Sequence, residues 1–212
     1  MTKIMASVAA LHLHEDGRLP LKSKLSDYYP GFANMKVGVP QPDGYDQVRP
    51  IFIQDLFRHT SGLTYGGRPD SNPVGKLYPN GTQPALEGDT AAFIDWITKL
   101  PLAHQPGAAF EYGFSIDVLS AVVEKVSGQR LGEYLQANVW KPLGMQDTTF
   151  MLTEPMRPRL AQPFAQNPLD GKAQAIVLLN QATKFGCGGA CAFSTVGDYL
   201  RFGQMLMNRG VP

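Results

Sequence analysis

The chain has 212 residues, of which 43% are hydrophobic and 17% are charged, and its formal net charge at pH 7 is +1. This length is enough to bury a sizeable core. The charge supplies neither the basic surface of a nucleic-acid-binding protein nor an acidic tail, so we expect no nucleic-acid partner. No run reaches the roughly 18 uninterrupted apolar residues that predict a membrane span. The sequence assigns no compartment.

The first predicted helix spans residues 2–15 and ends at Gly17, a residue type that favours helix termination. Its large apolar residues lie around one broad face: Ile4, Val8, Leu11 and Leu13. Residues 30–50 and 62–88 follow, both rich in glycine and proline. These stretches are too long for plain connections in a compact domain, and we interpret them as functional loops that border a cleft.

Two further helices are predicted by apolar residues at helical spacing and by residues that commonly cap helices. They cover residues 90–100 after Asp89 and residues 116–126 after Ser115. Strand signals are sparse. Residues 175–179 are the best candidate and residues 36–39 a weak one.

Two cysteines, Cys187 and Cys191, lie four residues apart in a glycine-rich segment. That separation matches neither a zinc pair nor a motif from which a disulfide is predicted. It would suit one face of a helix, but Gly188 and Gly189 argue against a helix there. We therefore interpret the two cysteines as small buried thiols.

Lys3 stands in the first turn of a helix, where a Ser-x-x-Lys motif would place its lysine. No other serine of the chain has a lysine three residues later. Four later segments support the interpretation of Lys3 as the lysine of such a motif. In chain order they are Arg58-His59-Thr60-Ser61-Gly62-Leu63, Tyr112-Gly113-Phe114-Ser115, Lys141-Pro142-Leu143-Gly144-Met145 and Cys187-Gly188-Gly189-Ala190-Cys191.

In this order the segments resemble the class C β-lactamase-like serine hydrolases, a family that includes penicillin-recognising enzymes, D-amino peptidases and esterases. The resemblance implies an α/β protein of the α+β type with a β-lactamase/transpeptidase-like fold, and a helix over residues 196–208 after the glycine-rich turn. It also implies that residues 1–212 are one partial domain, truncated at both ends, which holds mostly the helical region and lacks much of the antiparallel sheet. Helices made to cover an absent sheet would expose apolar surface, so we expect poor solubility or self-association.

By the same resemblance, Lys3 and Tyr112 are the pair that activates the nucleophile, and the serine lies just before Met1. Which of the two side chains takes the serine proton is left open. The oxyanion hole would use N–H groups outside the chain, and the chain alone is expected to be inactive. The resemblance implies no metal and no cofactor.

The substrate expected from this pattern is a small ester or amide. Lactam-recognising members carry Tyr-x-Asn, whereas this chain has Phe114 at the third position. We therefore expect a carboxylesterase that acts on short acyl esters through an acyl-serine, with Phe114 as an apolar substrate-binding residue. A β-lactamase or D-amino peptidase is the alternative within the family. A non-catalytic binding or scaffold protein on the same fold is the alternative of another class.

The four histidines carry no catalytic prediction. His59 and Ser61 are two residues apart, and side chains at that separation seldom face each other. The resemblance implies that their segment is a structural turn beneath the site. His12 and His14 are likewise two apart on a helix, which makes a metal pair improbable. His104 lies in a loop with no obvious partner.

Overall fold

The computed structural model describes residues 1–38, 45–67, 74–79, 88–174 and 184–211. In this part of the chain seven α-helices occur: α1 Thr2–Glu15, α2 Leu25–Tyr28, α3 Ile53–Phe57, α4 Thr90–Ile97, α5 Ser115–Ser127, α6 Leu131–Leu135 and α7 Val196–Met207. Shorter segments are the 3-10 turns Pro30–Asn34, Gly75–Leu77 and Glu154–Arg159 and the π-helical turn Gln136–Trp140.

Helix α5 is the central element, because α1, α3, α4 and α6 all pack against it. All residues from 115 to 123 are buried, on every side of the helix, so it lies inside the helical assembly. Its C-terminus is at Gly128, whose φ of 75° is left-handed. Ser115, predicted as the cap, is instead the first helical residue, and its Oγ lies 2.9 Å from Ser61 Oγ.

Helix α1 has the predicted bounds, but its buried face differs from the large apolar residues of its sequence. The buried residues are mainly small: Thr2, Met5, Ala6, Ala9, Ala10 and Leu13. Ile4 is 49% exposed and Leu11 is 40% exposed. Helix α1 packs on α5, and its three buried alanines, Ala6, Ala9 and Ala10, are small enough to permit a close approach of neighbouring elements.

The other two predicted helices also exist. Asp89 caps α4 by accepting a hydrogen bond from the N–H of Ala92 at 2.9 Å, and the helix ends at Ile97, before residue 100. Thr195 caps α7 by accepting one from the N–H of Asp198 at 3.2 Å. Both caps satisfy an N–H group that the first turn of a helix leaves unpaired.

Strand pairing in the described residues is limited to isolated bridges, which agrees with a fold of which mainly the helical region is present. Val37, in the weak strand predicted at residues 36–39, forms bridges with Tyr45 and Leu102. The candidate strand at residues 175–179 lies outside the described residues.

Cys187 and Cys191 form a disulfide, so the predicted pair of free thiols is wrong. Residues 188–190 form a turn that brings the two Cα atoms to 5.5 Å, a separation typical of disulfides. A tight turn with two glycines brings these two positions together, a geometry that their four-residue separation alone does not indicate.

Apolar side chains remain on the surface of α1 and α7. Ile4 and Leu11 are joined there by Leu200, which is 67% exposed, and Met207, which is 87% exposed. This surface is of the kind from which self-association was expected, and the association itself stays a prediction. Within the described helices, none is long and apolar enough to cross a membrane.

Candidate active site

Lys3 and Tyr112, 109 positions apart in the sequence, lie together at the N-terminus of α1. The Lys3 Nζ atom is 4.9 Å from the centroid of the Tyr112 ring. The same ammonium donates hydrogen bonds to the carbonyl oxygen of Gly189 at 2.6 Å and to the Tyr65 hydroxyl at 3.4 Å. The structure thus brings together the two side chains that the sequence singled out.

Tyr112 is 41% exposed and stands three residues before α5. Its ring packs against His59, with the centroids 4.9 Å apart, and against Tyr65 at 5.8 Å. The next residue fixes its backbone, because a Cβ on Gly113 would lie 2.4 Å from the Cα of Thr64. The two chain segments therefore cross without room for a side chain, and the Tyr112 ring faces solvent from a rigid support.

His59 is a packing residue beneath this pair. It is 8% exposed and adopts a positive φ of 53°, a conformation that His enters more readily than most residues. Burial, and to a lesser extent the positive charge of Lys3, lower the pKa of His59 to about 4. The imidazole is therefore neutral near pH 7 and adds no second cation beside Lys3, as expected for a structural turn.

Asp117, on α5, is a member of the site that the sequence analysis missed. Its side chain is fully buried. One carboxylate oxygen accepts a hydrogen bond from the Tyr65 hydroxyl at 3.1 Å, and the other accepts one from the Gly189 N–H at 2.9 Å. Burial raises the pKa of Asp117 to about 6, against the opposing effects of the Lys3 charge and of these two hydrogen bonds.

Tyr65 connects Lys3 to Asp117, because its hydroxyl accepts from the ammonium and donates to the carboxylate. Burial, and then the charge of Asp117, raise the pKa of the Tyr65 phenol far above its ordinary value. It is therefore a neutral hydrogen-bond relay rather than an acid or base. The charge of Asp117 within the otherwise apolar run of α5 could have indicated a functional residue. No comparable feature of the sequence singles out Tyr65.

Phe114 does not face a cleft, which corrects its predicted role as a substrate-binding residue. Its side chain is fully buried in an aromatic cluster, with ring centroids 4.5 Å from Tyr65 and 5.5 Å from Trp96. The ring supports Tyr65 from below and so belongs to the core. The position that carries an amide in lactam-recognising relatives is here apolar and covered.

Other polar candidates lie elsewhere. Ser61 and Ser115 are fully buried against each other, so neither hydroxyl is open to a substrate. His104 has a partner after all, since its Nε2 atom lies 3.1 Å from a Glu111 carboxylate oxygen. His12 and His14 contact Tyr134 and the carbonyl of Leu19 respectively. In the described ranges, no group of three or more His, Cys, Asp or Glu residues could hold a metal ion.

Comparison with known proteins agrees with this geometry. All residues, 1–212, match the family model described as Beta-lactamase. Lovastatin esterase from Penicillium rubens is 30% identical over 210 residues, which cover 94% of this chain and 50% of that protein. Esterase EstB from Burkholderia gladioli is 31% identical over 159 residues, 74% of this chain and 38% of that protein. Simvastatin synthase LovD from Aspergillus terreus superposes with a TM-score of 0.74 at 26% identity, covering 98% of this chain and 52% of that chain.

The fold is thus of the β-lactamase/transpeptidase-like class, whose members include serine hydrolases and acyltransferases. The chain belongs to the beta-lactamase family, and esterases are among its relatives. It spans about half the length of lovastatin esterase and of simvastatin synthase.

Proposed function

We propose that the longer protein to which this chain corresponds is a serine carboxylesterase acting on short acyl esters. Its nucleophile is a serine directly before Met1, and Lys3 and Tyr112 activate it. The observation that carries the proposal is the approach of the Lys3 ammonium to the exposed Tyr112 ring, 4.9 Å from its centroid. Few structural roles require a half-buried lysine to meet a solvent-facing tyrosine at a helix N-terminus.

The helix geometry of α1 supports the position of the serine. Residues three apart on a helix share one face, so a serine three positions before Lys3 would project toward the same side as its ammonium. That position also precedes the first turn of α1, where unpaired N–H groups and the positive end of the helix dipole favour negative charge.

The reaction would proceed through an acyl-enzyme. The serine hydroxyl gives its proton to the Lys3–Tyr112 pair as its oxygen attacks the ester carbonyl. The carbon–oxygen bond to the alcohol then breaks, and the pair returns the proton to the leaving alcohol. In the second half, water attacks the acyl-serine and loses a proton to the pair. The bond between the acyl carbon and the serine oxygen breaks, the pair returns the proton to that oxygen, and the carboxylic acid is released.

Two observations favour an ester over a lactam or peptide. The residue two positions after Tyr112 is a buried phenylalanine, so it offers no amide group to an amide substrate. Two relatives that are at least 30% identical carry the names lovastatin esterase and Esterase EstB. A buried apolar residue at this position leaves recognition to the acyl and alcohol parts of the substrate.

The test compares the 212-residue chain with a version extended upstream through the serine and downstream to the natural end of the protein. Both are assayed on p-nitrophenyl acetate and butyrate and on a chromogenic cephalosporin. We expect ester hydrolysis only in the extended protein. Lys3→Ala or Tyr112→Phe should each lower its kcat about a hundredfold or more. Lys141→Ala, at an exposed site, is the matched control and should leave kcat unchanged.

Each other outcome points to a different conclusion. Activity of the short chain alone would show that the nucleophile lies within it. Faster turnover of the cephalosporin than of the esters would support a β-lactamase. An extended protein that is folded but inactive on all three substrates would support a non-catalytic binding protein.

A further inference from the structure

We propose that the loop of residues 187–191, anchored on Asp117 and closed by the Cys187–Cys191 disulfide, is a positioning device for the Lys3 ammonium. This inference rests on the proposed function, since it assigns the device to the catalytic lysine. Asp117 is a positioning residue in this device. Its carboxylate is linked to Lys3 by hydrogen bonds through Gly189 and Tyr65, and its role requires no contact with the substrate.

Gly189 uses both of its main-chain polar groups in the site. Its N–H donates to the Asp117 carboxylate at 2.9 Å, and its carbonyl accepts from Lys3 Nζ at 2.6 Å. A hydrogen bond to a charged partner is shorter and stronger than a neutral one, and Gly189 makes two of them. The position of one glycine therefore sets the distance between the buried carboxylate and the ammonium.

The loop is pressed against α5 without space for side chains. A Cβ on Gly189 would lie 2.3 to 2.7 Å from the three atoms of the Asp117 carboxyl group, and one on Gly188 would lie 1.8 Å from Ser120 Oγ. Both distances are far below any real Cβ contact, so only glycine permits this approach. Because the loop contacts α5 this closely, the position of α5 determines the position of the Gly189 carbonyl.

The disulfide holds the same turn at its two ends. Cys187 is fully buried and Cys191 is 8% exposed, and Gly189 lies midway between them. Bridging the ends of a five-residue segment sharply reduces the conformations open to its middle residue. Reduction by a dithiol would exchange the sulfur–sulfur bond for two cysteine thiols, with the dithiol oxidised to its own disulfide, and would release this restraint.

Accessibility of the Lys3 amine tests the device without reference to activity. The folded 212-residue chain is treated briefly with an amine-acylating reagent, and tandem mass spectrometry quantifies the label on Lys3 separately from that on the Met1 amine. We expect labelling at least threefold faster in Asp117→Ala, which removes the acceptor of the Gly189 N–H, and in the native chain after reduction by a dithiol. Exposed Lys141 is the internal control and should react at one rate throughout.

The double variant Cys187→Ser/Cys191→Ser should label as fast as the reduced native chain and should not respond to the dithiol. Reduction of the native chain requires no substitution, so this arm remains decisive if a variant fails to fold. Equal Lys3 labelling in the oxidised and reduced native chains would overturn the role of the disulfide. Equal labelling in native and Asp117→Ala proteins would overturn the role of Asp117.

Steady-state kinetics of the extended protein test the same device through its activity. Asp117→Ala and the double cysteine variant should each lower kcat at least tenfold, with KM changed less than threefold. Such a split indicates a misplaced reacting group, because loss of substrate binding would raise KM. Faster labelling of Lys3 with unchanged kcat would overturn the positioning role. If the extended native protein is inactive, the proposed function fails, and the labelling experiment alone decides whether the device exists.

Discussion

Asp55 and Asp117 are both buried in the described part of the chain, and their carboxylates are satisfied in different ways. Asp55, on α3, is 1% exposed and forms a two-pronged ion pair with Arg49, at 2.7 and 2.9 Å. Asp117, on α5, is fully buried and reaches its nearest cation, Lys3, through Tyr65 and Gly189. The Asp55 carboxylate contacts its countercharge directly, whereas neutral groups lie between the Asp117 carboxylate and the Lys3 ammonium.

The pKa values of the two carboxyl groups move in opposite directions. Burial alone would raise both. At Asp55 the hydrogen bonds from Arg49, the Phe52 N–H and Thr60 outweigh burial and hold the pKa below its usual range. At Asp117 burial prevails, and the pKa rises to about 6. At neutral pH, Asp55 thus stabilises the fold, whereas the charge of Asp117 costs stability, which is typical of groups retained for a functional site.

Asp55→Asn should have the largest effect on stability, because it leaves the Arg49 guanidinium, only 32% exposed, without its countercharge. We expect the free energy of unfolding at pH 7 to fall by about 3 kcal/mol. Urea unfolding followed by circular dichroism measures it. Asp95→Asn, which breaks the exposed pair with Lys99, is the matched control and should change stability by less than about 0.5 kcal/mol. Equal losses in the two variants would contradict the assignment of Asp55.

Gly189→Ala tests the close approach at the other aspartate. The added methyl group would meet the Asp117 carboxyl group at 2.3 to 2.7 Å, so either the loop or the side chain must move. We expect a loss of about 1 to 3 kcal/mol. Gly203→Ala on α7 is the control, since nothing lies within 4 Å of its added Cβ and alanine favours a helix interior by about 0.5 to 1 kcal/mol. An unchanged free energy of unfolding in Gly189→Ala would contradict this close contact.

The contrast between these two sites also shows which parts of the structure were predictable. Local rules found two of the helices: α1 has its predicted bounds, and α4 begins at its predicted cap, Asp89. Motif order placed Lys3 and Tyr112 side by side although 109 positions separate them. Local periodicity and ordered motifs are properties of the sequence itself, so they required no knowledge of packing.

The missed features all depend on long-range contacts. The link from Lys3 to Gly189 spans 186 positions and that from Asp117 to Gly189 spans 72, and no local pattern encodes either. The burial of Phe114 follows from an aromatic cluster drawn from several segments. The disulfide depends on a turn that is packed closely against α5, and the spacing of the two cysteines does not indicate that turn.

Stability between pH 6.5 and 4 should reflect two opposing groups. The folded pKa of His59 is lowered to about 4, so its contribution is present above pH 6.5 and is lost as pH falls toward 4. The folded pKa of Asp117 is raised to about 6, so its contribution is fully present below about pH 3.8 and is lost as pH rises through 6. Over this window the two changes oppose each other as the pH falls.

Single variants separate the two groups. Asp117→Asn keeps only the His59 effect and should lose about 1 to 3 kcal/mol of unfolding free energy between pH 6.5 and 4.5, relative to its value at pH 6.5. His59→Gln keeps only the Asp117 effect and should become more stable over the same interval. The native chain should lie between them. Parallel stability profiles for all three proteins, from urea curves at pH 4.5, 5.5 and 6.5, would show that neither group titrates as described.

Asp117→Asn at pH 8 should have the smallest effect, although it is the same chemical change as Asp55→Asn at a more deeply buried site. The asparagine removes a charge that burial disfavours, and the Tyr65 hydroxyl can turn to accept from the new amide group. We expect the free energy of unfolding to change by less than about 1 kcal/mol. Asp117→Ala is the matched control and should cost about 1 to 3 kcal/mol, because it leaves the Gly189 N–H without its acceptor. A loss as large as that of Asp55→Asn would mean that Asp117 is a structural ion-pair partner, and the contrast between the two aspartates would fail.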